Sequence, residues 1–92
     1  MTVNVSDDEI MAAQKLLGRT CGVFGEPAGV AGTAGLKKLC GQGKIPAGAT
    51  VVSVVTGNGL KDVANAIAAC GEPISIPSDM ELLLKAFAEK GI

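Results

Sequence analysis

Apolar positions near the start of the chain recur at helical spacing. Ile10, Ala13 and Leu17, joined by Met11, fall three to four residues apart and share one side of a helix. Ahead of them Ser6-Asp7-Asp8-Glu9 spells a capping box, in which the Ser6 hydroxyl and the Glu9 carboxylate each satisfy a free backbone N–H. Val5 and Ile10 flank the box at the positions of a hydrophobic staple. After a short extended stretch over residues 2–5, this pattern predicts a helix that Gly18 or Gly22 ends. Gly22-Val23-Phe24-Gly25 is too short and apolar for a helix and reads as a short strand. Glu26-Pro27 then places proline where a helix can start. The second predicted helix covers residues 28–40 and carries Gly29, Gly32 and Gly35 at intervals of three. Each glycine costs about 1 kcal/mol relative to alanine, so something must offset them. With Ala28 and Ala31 they leave one face almost without side-chain thickness, which predicts close approach of a sheet or a ligand.

Beyond Gly41-Gln42-Gly43 and a loop over residues 44–49, the periodicity changes. Thr50-Val51-Val52-Ser53-Val54-Val55-Thr56 is rich in β-branched residues and apolar on both faces, the pattern of a strand buried in a parallel sheet. Residues 60–70 return to a weaker helical pattern through Val63, Ala66, Ile67 and Ala69, ended by Gly71. Residues 73–77, bounded by prolines, leave room only for a short edge strand. Ser78-Asp79-Met80-Glu81 spells a second capping box and opens a final amphipathic helix with Leu82, Leu83, Ala86 and Phe87 directed inward. The expected fold class is α/β: part of a three-layer fold with one buried parallel-type strand, short flanking strands and about four helices. One convincing strand is too few for a self-contained sheet. Its edges are therefore expected to pair with a further part of the chain or with a second copy.

Totals narrow the function classes. Ninety-two residues make one unit with no internal boundary and a modest core. With only Phe24 and Phe87 aromatic and a net charge of −1, the chain offers neither a basic stripe nor a stacking platform for bases, so no nucleic-acid partner is expected. No apolar run approaches a membrane span, and the first eight residues have no leader pattern. Cys21, Cys40 and Cys70 have no metal-ligand spacing and no histidine to join them, so they are expected to be small buried hydrophobes in a reducing, cytoplasmic setting, with no metal site. Lack of histidine also removes Ser-His and Cys-His nucleophile pairs.

The segment with chemical promise follows the β-branched run. Ligands of open α/β sheets bind at the carboxyl ends of strands, and Thr56-Gly57-Asn58-Gly59 occupies that place. A threonine hydroxyl can hydrogen-bond a ring nitrogen or a phosphate oxygen, and glycines let backbone approach a ligand. An ordinary strand-to-helix turn, with Asn58 or Gly59 at positive φ, is the alternative. The string is neither a P-loop, because Gly59 is followed by Leu60-Lys61-Asp62, nor a dinucleotide fingerprint, because Asp62 stands where glycine is required.

A β-rich strand ending in Thr56-Gly57-Asn58-Gly59-Leu60-Lys61-Asp62 resembles the C-terminal region of the threonine synthases. Ser6 to Ile10, Gly22-Val23-Phe24, Glu26-Pro27-Ala28, Leu36-Lys37-Lys38-Leu39 and Ile76-Pro77 resemble segments of the same family, so the likeness covers nearly the whole chain. Glu-Pro-Ala-Gly at residues 26–29 looks equally like threonine dehydratase, the alternative parent. The dehydratases, however, end the strand in a serine-glycine-glycine-asparagine pattern that residues 56–59 do not follow.

The resemblance implies a fold-type II pyridoxal-phosphate enzyme that converts O-phosphohomoserine and water into threonine and phosphate. Thr56 matches the residue that hydrogen-bonds the pyridine nitrogen, Gly57, Asn58 and Gly59 would shape the same wall, and Glu26 would lie near the cofactor's edge, unless it is only an anion at a helix start. A neutral hydroxyl cannot by itself hold a proton on that nitrogen as a carboxylate would. The lysine that bonds the cofactor and the cradle for its phosphate belong to the family's N-terminal part. Lys61, in the first turn of a helix, is expected to be solvated rather than bonded to the cofactor. The chain is thus expected to be a C-terminal segment, with no catalytic residue of its own, that binds no cofactor and is inactive alone. Its expected partner is the N-terminal part of the enzyme or a second copy. A self-associating structural or binding module without catalysis is the rival reading.

Overall fold

A computed structural model describes residues 1–92, and its regular structure is helical: α1 (Asp7–Cys21), α2 (Pro27–Gly41), a single 3-10 turn (Gly59–Lys61), α3 (Val63–Cys70) and α4 (Met80–Lys90). The helix starts follow the capping chemistry. Ser6 accepts from the Glu9 N–H at 3.2 Å while the Glu9 carboxylate accepts from the Ser6 N–H at 2.7 Å, closing the box ahead of α1. Gly22, at φ 69°, turns the chain out of α1 in the left-handed conformation that glycine adopts without penalty. Asp62 caps α3 through the Asn65 N–H. In α4 the cap is Asp79, which accepts from Leu82 N–H, one residue later than the Ser78 box predicts.

α1 is the hub, packed against α2 on one side and α3 on the other. The core between them is made of small residues, Ala13, Val30, Ala34, Ala66 and Ala69, so the helices approach closely but bury little area. Lys38 near the end of α2 ties back to the start of α1, donating to Asn4 O at 2.9 Å and pairing with Glu9 at 3.2 Å. α4 lies away from this core: Leu83, Ala86 and Phe87 are half-buried, whereas Leu82, expected inside, is 43% exposed. The molecule measures 53 × 27 × 20 Å, with a radius of gyration of 16.6 Å. A compact chain of this length would have about 12 Å.

The expected α/β class is not what forms. There is no sheet, no buried parallel strand and no pair of flanking strands; residues 50–56 make no backbone hydrogen bond, and Val52 and Val54 are 85% and 73% exposed. Residues 73–77 join no strand ladder, the one backbone hydrogen bond there being the local turn from Asp79 N–H to Pro77 O, and of residues 22–25 only Gly25 bridges, antiparallel, to Asn58. β-Branched side chains favour extended backbone locally, but a ladder needs a second strand about 4.8 Å away, and this chain contributes none. Residues 53–56 run along the glycine face of α2 instead. A β-carbon on Gly29 would stand 3.0 Å from both N and Oγ1 of Thr56, and one on Gly32 would stand 3.7 Å from Ser53 Oγ. Thr33 Oγ1 and Ser53 Oγ share a hydrogen bond at 3.1 Å. The thin face of α2 therefore does meet a closely approaching chain, which is a lone segment rather than a sheet.

Candidate functional site

The single bridge gathers all five residues marked in the sequence. Glu26 N–H donates to Gly57 O and Gly59 N–H donates to Phe24 O, both at 2.9 Å, so residues 24–26 and 57–59 lie side by side across the Gly25–Asn58 pair. Glu26 stands at the N-cap of α2, where the helix dipole favours an anion, yet its carboxylate caps no backbone N–H. It faces the other segment. Thr56 Oγ1 donates to Glu26 Oε1 at 3.2 Å, and Lys61 Nζ pairs with Glu26 Oε2 at 3.3 Å. The Glu26 side chain is only 18% exposed, whereas that of Lys61 is 66% exposed.

Glycines make this arrangement possible. A β-carbon on Gly57 would run into the Glu26 carboxylate, and one on Gly59 would stand 2.6 Å from the Phe24 ring. Asn58 turns its side chain to local work: Oδ1 accepts from Leu60 N–H at 2.8 Å and caps the 3-10 turn. Neither Asn58 nor Gly59 takes positive φ, so the turn is not of the left-handed kind considered as the alternative. Thr56 is exposed beside Glu26, with its oxygen lone pairs available to a further donor.

Two participants lie outside the five marked residues. Lys61, read as merely solvated, is exposed but holds the second oxygen of Glu26. The i, i+4 logic of helix pairs cannot reveal a partner 35 residues away in sequence. Gln14 is fully buried on the inner side of α1, where its Nε2 donates to Gly25 O at 2.7 Å and its Oε1 has no partner. The available signal was a glutamine lying on the stripe of Ile10, Ala13 and Leu17. Cys21, Cys40 and Cys70 are all free and exposed, not the buried hydrophobes expected, because the alanine-built core leaves no interior for them. No helix is long and apolar enough to cross a membrane.

Two carboxylates near helix starts are held below their ordinary range. For Asp62 the Asn65 side-chain amide is the larger cause and the Asn65 backbone N–H the second. For Glu9 the Ser6 backbone N–H leads, followed by Lys38.

The chain is 48% identical over 85 residues to the threonine synthase of Methanocaldococcus jannaschii, an alignment covering 92% of this chain and 21% of that protein. It is 47% identical over 81 residues to the threonine synthase of Halalkalibacterium halodurans, covering 87% and 23% respectively. For the threonine synthase of Methanosarcina acetivorans the figures are 41% over 87 residues, 95% and 22%. The chain thus spans about a fifth of the length of the curated relatives it matches. A family model described as pyridoxal-phosphate dependent enzyme matches residues 1–57, more than half of the chain and the part that carries Glu26, Thr56 and Gly57. On that match the chain belongs to the pyridoxal-phosphate dependent enzyme family.

Proposed function

We propose that this chain is the C-terminal segment of a threonine synthase, acting in the conversion of O-phosphohomoserine and water into threonine and phosphate, and that it supplies the wall facing the pyridine ring. The observation that carries the reading is the convergence of Glu26, Thr56, Gly57, Asn58 and Gly59 on one small surface. The names of the relatives favour threonine synthase over a dehydratase parent.

The residues fit one edge of the cofactor. Thr56 presents an exposed hydroxyl with an oxygen lone pair free, and the side-chain-free backbone at Gly57 and Gly59 keeps the surface beside it flat. The same surface has no cradle for a phosphate, and its one lysine is committed to Glu26. Pyridoxal phosphate, when bound, supplies an electron sink for the reacting carbon. The chain's own work is to fix the ring's edge and tilt: Thr56 holds the nitrogen, Gly57 and Gly59 allow backbone approach, and Asn58 stiffens the turn through Leu60. On this reading the segment has no catalytic residue, is a single unit over residues 1–92, resides in the cytoplasm and takes the N-terminal part of the enzyme as its partner.

The test is complementation. Mixed with an N-terminal threonine synthase segment, the chain should restore phosphate release from O-phosphohomoserine, and alone it should release none. Failure to complement, with both pieces folded, would sink the reading. One observation favours a second reading, a self-associating module: residues 50–56 expose valines and an unpaired backbone that another copy could cover. Sedimentation showing a tight homodimer that persists in the presence of the N-terminal piece would select it.

A further inference from the structure

We infer that Gln14 is a positioning residue for the candidate site: from inside the core its side-chain amide fixes the Gly25 carbonyl, and through it the seat of residues 57–59 against residues 24–26. For its effect on the reaction, the inference rests on the proposed ring contact.

Few ties hold the two segments together. Glu26 N–H donates to Gly57 O and Gly59 N–H to Phe24 O, on either side of the Gly25–Asn58 pair, and a pairing this short is not stable by itself. The Gly25 carbonyl takes no part in it. That carbonyl is met instead by Gln14 Nε2 at 2.7 Å, from a side chain on α1 that has no exposed surface.

Hydrogen-bond counting shows what the amide is for. Gly25 O can only accept, so the nitrogen of Gln14 must face it and the oxygen must face away. That oxygen, Oε1, is buried without a partner. An apolar side chain of similar length would remove this unsatisfied atom but leave the Gly25 carbonyl unpaired in its place, so the amide gains nothing in the count. What it adds is a tether from α1 to the paired segments.

The surroundings of Gly25 carry that tether to the site. A β-carbon on Gly25 would run into Val30 of α2 and into Val55, the residue before Thr56, so the backbone here lies flat between them. Gly59 lies as closely against the Phe24 ring. A shift of the Gly25 carbonyl therefore moves Phe24 and Glu26, whose backbone groups hold Gly59 and Gly57. A binding wall keeps its geometry only as well as the shell behind it, and Gln14 is the polar part of that shell.

The inference is tested at two levels. In the isolated chain, a through-hydrogen-bond NMR coupling should join Gln14 Nε2 to the Gly25 carbonyl carbon, and its absence overturns the inference. Gln14→Met should lower the protection of the Glu26 and Gly59 amides about tenfold more than that of the α1 and α2 amides. Ala66→Gly, which loosens the core from α3, is the control and should lower all of them alike. Protection that falls in step throughout after Gln14→Met, or not at all, overturns the inference. In the assembly with the N-terminal segment, the circular dichroism of the pyridoxal band, taken per bound cofactor, reports the tilt of the ring. Gln14→Met should change it about twofold, while Ala66→Gly should leave it unchanged. A band indifferent to Gln14→Met but altered by Thr56→Val overturns the inference and spares the ring contact. A band indifferent to Thr56→Val, or an assembly that takes up no cofactor, defeats the ring contact and with it the effect on the reaction, while the tether stands or falls on the coupling and exchange data.

Discussion

Thr56 carries two obligations at once, a bond to Glu26 and a surface exposed to whatever lies opposite. Replacing it with alanine removes one hydrogen bond of about 1–1.5 kcal/mol, so turnover of a complemented enzyme should fall roughly tenfold with the helical circular dichroism unchanged. Gly57→Ala acts differently. Its β-carbon would displace the Glu26 carboxylate, and we expect a loss of about 1–3 kcal/mol in urea denaturation together with loss of the Glu26–Thr56 bond. Gln14 works from beneath the site. Gly25 O has no other hydrogen-bond partner, so Gln14→Leu leaves a buried carbonyl unpaired and should cost about 1–3 kcal/mol in the same measurement. An unchanged midpoint for Gln14→Leu would mean that solvent reaches Gly25.

Among the elements, what depends on neighbours in sequence was readable and what depends on distant partners was not. Ser6 and Glu9, Pro27, Gly22 and Gly71 mark helix boundaries through contacts within a few residues, and α1, α2 and α4 stand within about two residues of where those signals put them, whereas α3 starts at Val63, three residues later than expected, behind a separate 3-10 turn. The β-branched run at residues 50–56 signals an extended preference with equal clarity, but a preference is not a ladder, and no second strand exists in the chain to complete one. The site divides in the same way. Its five residues were marked by their string and lie together, but Lys61's pairing with Glu26 and Gln14's support of Gly25 arise only when segments far apart in sequence meet. The helix starts also predict a pH response. Asp62 and Glu9 have carboxyls lowered from ordinary values of 3.8 and 4.5, so the folded state binds those protons less readily than the unfolded chain. Their contribution is present above the ordinary values and is lost as pH falls through the lowered ones. Thermal melts between pH 6 and pH 2.5 should show a falling midpoint, shallower for Asp62→Asn and Glu9→Gln. A midpoint insensitive to pH in both backgrounds would remove these caps from the stability balance.

At the scale of the whole molecule, the chain is longer and more open than its length requires. A radius of gyration of 16.6 Å against about 12 Å for a compact chain places α4 and the valine-bearing segment outside the alanine-built core. Hydrogen exchange should therefore find the amides of residues 50–56 unprotected in the isolated chain and protected once an N-terminal segment is added. Protection already present in the isolated chain at low concentration would contradict the open arrangement. Small-angle scattering supplies an independent check on the radius.

The pairing of residues 24–26 with 57–59 has a consequence for timing. The Glu26 and Thr56 side chains are joined across 30 residues of chain, and closing a loop of that length costs about 3 kcal/mol of entropy before any contact repays it. α1 and α2 are neighbours in sequence and can dock without that cost. The helical hairpin should then assemble early, and the clasp bearing the candidate site should close late and reopen first. In exchange experiments the amides of Glu26 and Gly59 would open together, ahead of α1, as a small cooperative unit of their own. The surface that would meet a cofactor is thus the part of the molecule most easily released, and most readily reshaped by an arriving partner.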